Sequence, residues 1–312
     1  MNKNREIIEI NGSGYRALIN LSEGANCICL ENSALGADIL RQPDYSVGTR
    51  NPFLYGMPIL FPVNRISGGK FTFENRKYTF PVNEPKTGCH LHGSLHAKPF
   101  VLRDIRADGV RCEYLFTDER PGFPHKYTVA ISYSLSENGL SVKTEITNNS
   151  SLNMPLMLGF HTTFNIPFLK GGKAENVRVS AQVAEEIERG RENYLPTGKI
   201  INESRIGKLL NSGAFYPLSE KISLHFKAAG NGNIALTDTE SGISIIYKND
   251  FRFGWRLFYN GNADKFICLE PQTCMVDAKN SGLPDSLTGF DCVKPNETKA
   301  YSSLISVKSG IF

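Results

Sequence analysis

The stretch Tyr127-Thr-Val-Ala-Ile-Ser-Tyr-Ser-Leu135, followed by Ser136-Glu-Asn-Gly139 and Leu140-Ser-Val-Lys-Thr-Glu-Ile-Thr-Asn148, decides the fold class. Its two halves are rich in β-branched and aromatic residues, which suit a pleated surface, and the four residues between them suit a tight connection. The expectation is a long antiparallel hairpin. Shorter runs of the same kind lie upstream: Glu6 to Ile19, interrupted by a turn at Asn11-Gly-Ser-Gly14, then Asn26 to Leu30 and Gly109 to Phe116. Lys70 to Phe80 reads as a second hairpin, with Phe71, Phe73, Tyr78 and Phe80 alternating with polar residues around Glu74-Asn-Arg76. Further strands are expected at Ile222–Phe226, Ile234–Leu236, Ile243–Tyr247, Phe253–Tyr259 and Ala300–Val307. Only Ala181 to Glu192 has a helix-friendly composition over three turns. Many strands and almost no helix point to a sandwich or barrel, read here as one domain over residues 1–312.

Composition narrows the function classes. The 312 residues are 40% hydrophobic and 21% charged, with a net charge of +4 and no long basic run. Nucleic-acid binders usually show a basic stripe, so nucleic acid is not the expected partner. No window approaches the ~18 apolar residues of a membrane span, and the polar start Met1-Asn-Lys-Asn-Arg-Glu6 has no apolar signal region. A cytoplasmic location is the expectation. Seven cysteines without a C-x-x-C pair suit buried free thiols in a reducing compartment.

Four stretches carry residues able to do chemistry. In Phe266-Ile-Cys-Leu-Glu-Pro-Gln-Thr-Cys-Met-Val-Asp-Ala-Lys-Asn280, Glu270 ends an apolar run just before a proline. Proline has no N–H to continue a ladder, so the sheet is expected to end there. An apolar setting raises a carboxyl pKa and makes a better proton acceptor of the ionised group; a rim glutamate held in an ion pair is the alternative. In Gly88-Cys-His-Leu-His-Gly-Ser-Leu-His96, His90 and His92 stand two apart, so an extended segment points both to one face. That spacing also suits a metal pair, and His90, His92 and His96 together define a metal-dependent isomerase reading. In Val63-Asn-Arg-Ile-Ser-Gly-Gly69, Arg65 offers a planar fork of donors either to hydroxyls or to an ion-pair partner. In Leu158-Gly-Phe-His-Thr-Thr-Phe164, His161 follows an apolar run, as either a proton donor near neutral pH or a satisfied core histidine.

As an ordered set the motifs are more specific than any one of them. N-R-I-x-G-G-x-F-x-F at 64–73, Tyr78, Asn83-Glu84, H-L-H-G at 90–93, G-F-P at 122–124, G-F-H-T-T-F at 159–164, L-P-T-G at 195–198 and C-L-E-P-Q-T with D-A-x-N at 268–280 follow one another. The set resembles the aldose 1-epimerase (mutarotase) family from about residue 50 to the C-terminus. The resemblance implies an all-β fold, a large antiparallel β-sandwich of the galactose mutarotase-like supersandwich type with few short helices, and a sugar cleft open to solvent. By position it implies Glu270 as catalytic base, His161 as general acid, and His92 and Arg65 as sugar contacts, with His90 beside the motif. It implies a small-molecule sugar partner and neither metal nor organic cofactor. One departure stands out: the family's sugar-binding aspartate after the T-G motif has no counterpart in P-L-S-E-K-I-S-L-H-F-K-A, where His225 falls near that place.

The reaction expected is interconversion of α and β anomers of an aldohexose or its 6-phosphate. The alternative is a non-catalytic carbohydrate-binding protein on the same fold. Free and phosphorylated sugars are not separated at this level, because arginines such as Arg41, Arg50, Arg76 and Arg103 have no place around a cleft until the chain is folded. The sequence carries no signal of oligomeric state.

Overall fold

A computed structural model describes residues 6–46, 50–118, 120 and 122–310; the polar start Met1 to Arg5 lies outside the described residues. Two large antiparallel sheets dominate. The first runs in the order Val101–Arg106, Gly109–Phe116, Tyr127–Ser136, Gly139–Asn148, Thr298–Ser309, Ile243–Asn249, Ile234–Asp238, Val177–Ala181. Its centre is the long hairpin, paired without interruption from Tyr127 opposite Asn148 to Ser136 opposite Gly139. The strand Tyr127–Ser136 buries alternate residues, so Val129, Ile131 and Tyr133 face inward, as a half-buried sheet requires.

The second sheet runs Pro196–Ile201, Val183–Arg189, Ser223–Ala228, Trp255–Tyr259, Phe266–Gln272, Gly159–Phe160, Ile59–Leu60, with Thr162–Asn165 also paired to Phe266–Gln272. One continuous cluster of buried residues joins the sheets: Ile131, Val142 and Ile146 from the first, and Phe226, Phe258, Ile267 and Leu269 from the second. This is the β-sandwich expected from the motifs. A four-stranded sheet, Ile7–Gly12, Tyr15–Asn20, Asn26–Asn32, Ala37–Asp38, adds to the same core. It is tied to the long sheet by the Tyr133 hydroxyl donating to the Ala25 carbonyl (2.8 Å) and the Val307 N–H donating to the Tyr15 hydroxyl (2.9 Å).

Helix is confined, among the described residues, to Arg205–Asn211, Asp285–Thr288 and a few single turns, and no helix is long and apolar enough to cross a membrane. All seven cysteines are free, and six are buried. Two expectations need correction. Ala181 to Glu192 is not helical: most of it is the strand Val183–Arg189, whose Val183 and Ile187 are buried against neighbouring strands. Tertiary pairing overrides a weak local preference. The sheet also does not end at Pro271, because the strand Phe266–Gln272 passes through it with Arg256 opposite. On its other side the ladder runs Leu269 to Thr162 and resumes at Gln272 to Gly159, with no pairing at 270 and 271. The missing N–H of proline falls beside that gap.

Candidate active site

The gap beside Pro271 positions the chemistry. Residue numbers on the two sides sum to 431 both at Leu269–Thr162 and at Gln272–Gly159, so the same register places His161 opposite Glu270. Opposed residues on one face of an antiparallel pair are near neighbours. The His161 Nε2 lies 3.1 Å from the Glu270 Oε1. The His161 N–H is spent on the Pro58 carbonyl at 3.0 Å, which leaves the side chains to meet. Both are deeply buried, Glu270 at 1% and His161 at 5% exposure, and both line a cleft of 820 Å³. That volume is within the range of small-molecule sites.

Burial sets the charge of the pair. Loss of hydration pushes the Glu270 carboxyl up to about 8, against the opposing pull of Arg189 and of the Gln272 amide. The same loss pushes His161 down to about 3. Both shifts favour the uncharged form of each group, and the pair then shares one titratable proton. The sequence leads one to expect a carboxylate facing an imidazolium; desolvation reverses the resting location of that proton without changing the count. The Glu270 Oε1 and the His161 Nδ1 are buried without a hydrogen-bond partner among the described residues. The Gln272 amide donates to the Glu270 Oε2 (3.1 Å) and accepts from the Asn64 amide (3.0 Å), which fixes the carboxyl plane.

His92 reaches the cleft because its backbone is left-handed, with φ +60°, and Gly93 follows at +64°. A Cβ on Gly93 would stand 2.0 Å from the Phe61 carbonyl oxygen, so only glycine fits this turn. The His92 Nδ1 accepts from the Asn64 N–H (3.3 Å), placing the ring proton on Nε2. Burial holds the ring well below the usual imidazole range, so it is a neutral donor. Phe53 packs on His92 (4.7 Å between centroids), His96 (4.6 Å) and His161 (5.9 Å), forming an apolar wall. Arg65 lines the cleft and is also an ion-pair residue, bidentate to Glu84 at 2.6 and 2.7 Å and stacked over the Tyr194 ring. Both readings of it describe the same side chain.

Two residues are not brought into the lining. The turn at His92 breaks the extended geometry that would have kept His90 on its face. The His90 Nδ1 instead meets the Pro81 carbonyl oxygen (2.7 Å), with the ring against Phe80. His225 is fully buried and packs edge-on against Trp255, while Ser223 and Leu224 of the same strand reach the cleft. Among the described residues no three His, Cys, Asp or Glu side chains converge as metal ligands. Cys274 is buried and its thiol is pushed up to about 12, which removes it as a nucleophile.

Arg189, Tyr194, Tyr259 and Gln272 enter the site unannounced. Gln272 had a signal, since it stands two residues after Glu270 and so shares its strand face. Arg189 had none. The residues from Glu186 to Arg189 all line the cleft, which strict alternation forbids, because the strand Val183–Arg189 shifts register against both neighbours.

The aldose 1-epimerase family model matches residues 8–303. A galactose mutarotase-like protein of known structure from Clostridium acetobutylicum superposes with a TM-score of 0.90 over 98% of each chain, at 29% identity. The uncharacterised protein YihR of Escherichia coli K12 is 24% identical over 225 residues, 70% of each chain. Galactose mutarotase of Rattus norvegicus is 30% identical over 106 residues, 33% of this chain and 30% of the rat protein. With the family match running from the first strand into the last, this chain belongs to the aldose 1-epimerase family.

Proposed function

We propose that this chain is an isomerase that interconverts the α and β anomers of an aldohexose, with Glu270 and His161 as the acid–base pair and Arg65 and His92 as sugar contacts. The observation that carries the reading is the 3.1 Å approach of two buried, partner-poor titratable groups inside one cleft.

Proton counting supports it. Ring opening needs a base for the proton of the C1 hydroxyl and an acid for the ring oxygen. A carboxylate facing an imidazolium carries the same single titratable proton as the resting pair, and transfer from Glu270 Oε1 to His161 Nε2, 3.1 Å apart and brought into hydrogen-bond alignment when the sugar enters, prepares it. The carboxylate then takes the hydroxyl proton while the imidazolium gives its own to the ring oxygen, the C1–O5 bond breaks, and an open-chain aldehyde forms. After rotation about C1–C2, the imidazole takes the C5 hydroxyl proton and the carboxyl returns its proton to the aldehyde oxygen as the ring closes. The resting state, acid and neutral imidazole, is thus also the protonation state that accompanies the open chain. Each positioned transfer is worth on the order of 10²–10⁴-fold in rate.

The test is Glu270→Gln, followed by polarimetry or exchange NMR on a freshly dissolved anomer. The expected result is a folded protein without measurable acceleration. Sugar binding by the wild-type chain with no effect on the exchange rate would instead make it a carbohydrate-binding protein on this fold.

A further inference from the structure

Folding places the arginines that the sequence leaves scattered. Arg41, Arg50, Arg76 and Arg103 do not line the cleft, and Arg50 and Arg103 are engaged by Glu23 (2.7 Å) and Glu113 (2.8 Å). Arg65, Arg189, Arg191 and Lys221 do line it. Arg65 is neutralised by Glu84. The other three are in no ion pair among the described residues. Arg189 donates through Nη2 to the Ser223 carbonyl and hydroxyl oxygens (2.5 and 2.9 Å), which carry no full charge, and its Nη1 is buried with no acceptor.

The acidic groups of the cleft do not balance these cations. Glu84 is used by Arg65 and Glu188 by Lys199 (3.0 Å). Glu186 holds the Ser204 hydroxyl and supplies one negative charge. Glu270 is pushed up to about 8 by burial, towards its uncharged form. Three cations outside any ion pair against Glu186 and the contribution of Glu270, which burial reduces, leave the lining with a positive surplus. A buried guanidinium donor without an acceptor is costly, and an anionic oxygen is its strongest partner.

We infer that the cleft takes an aldose bearing an anionic group away from C1, with Arg189, whose Nη1 is buried, as its anchor and Arg191 and Lys221 as cations at the rim. The inference rests on the anomer-exchange reading, which requires a free C1 hydroxyl and so excludes a charge on that oxygen. A 6-phosphate and a 6-carboxylate share the chemistry required.

The test compares kcat/KM for anomer exchange of glucose and galactose with that of their 6-phosphates and of the corresponding uronates, with calorimetric binding of each sugar in parallel. The chains compared are the wild type, Arg189→Met, and the double variant Arg191→Gln/Lys221→Gln, whose two sites are exposed and leave folding intact. Expected is a preference of at least about tenfold for an anionic sugar over its neutral parent, falling as ionic strength rises. The preference should shrink several-fold in the double variant and further in Arg189→Met. A preference confined to 6-phosphates assigns a phosphate, and one confined to uronates a carboxylate. Neutral sugars processed as well as their charged counterparts, or a preference that survives both variants, overturn the inference. If no sugar exchanges faster than in buffer, anomer exchange is what fails. The calorimetric ranking then decides the anion site: tighter anionic sugars uphold it, and equal, weaker or absent binding of them overturns it.

Discussion

The two large sheets of this molecule are built to opposite standards. In the sheet around Tyr127–Asn148, the strands Gly109–Phe116, Tyr127–Ser136, Gly139–Asn148 and Thr298–Ser309, of eight to twelve residues, pair in unbroken register, and most of their buried side chains are apolar. In the sheet around Phe266–Gln272, strands of two to seven residues carry gaps and register shifts, a carboxyl and an imidazole are buried with polar atoms unpartnered, and a half-buried guanidinium has one buried nitrogen without an acceptor. Both sheets feed one core, and the irregular one gives up part of its ladder to hold titratable groups out of water.

Four measurements break or sharpen that contrast. Glu270→Gln should lower anomer exchange by at least about 10²-fold without lowering the melting temperature; activity within threefold of wild type would remove the acid–base assignment. Ile131→Ala, in the regular sheet and fully buried, should cost about 2–5 kcal/mol in denaturant unfolding, yet leave kcat of the folded fraction unchanged. A changed kcat would mean that the sheets are not separable in function. Gln272→Leu removes a hydrogen bond that holds Glu270 down. It should reduce kcat by roughly tenfold and move the alkaline limb of the pH profile upward, whereas a downward move would contradict the role given to the amide. In the wild type that limb is expected near pH 8, where the pair loses its proton, with a plateau below it towards the region near 3 where a second proton enters.

The smallest effect is on stability. Glu270 titrates near 4.5 when unfolded and near 8 when folded, so between those values the unfolded chain binds fewer protons and stability falls as pH rises. Glu270→Gln should flatten that decline. The lowered histidines act in the opposite sense: His161, folded near 3 and unfolded near 6.5, withdraws stability as pH drops through that window. A wild-type and a Glu270→Gln melting curve that run parallel from pH 5 to 8 would show that the carboxyl is better solvated than its burial implies.

What could be read from the sequence follows the same division. The strands Gly109–Phe116, Tyr127–Ser136 and Gly139–Asn148 were legible to within a residue, because period-two burial and a tight connection are local properties. The sandwich followed from them. In the functional sheet the local signals mislead: Pro271 suggests an end where the strand continues, and Ala181 to Glu192 suggests a helix where a shifted strand lies. His90 and His92 look paired until a positive φ separates them. Glu270, His161, Arg65 and His92 were singled out by motif order, and it is their meeting in one cleft that needed coordinates. Arg189 was beyond reach, since its arrival depends on a register shift set by two partner strands.

The pairing that sets His161 opposite Glu270 has a bearing on how such a protein tolerates change over time. A residue gained or lost inside Gly159–Asn165 or Phe266–Gln272 would swing one of the two groups to the far face of its strand and part the proposed acid–base pair. The chain that joins the two strands holds Trp255–Tyr259, which pairs with Phe266–Gln272, and Glu186 to Arg191, which line the cleft, so only its turns can lengthen or shorten without disturbing the pair. Substitution at the cleft residues of that segment would change what the cleft meets while the ladder keeps His161 opposite Glu270.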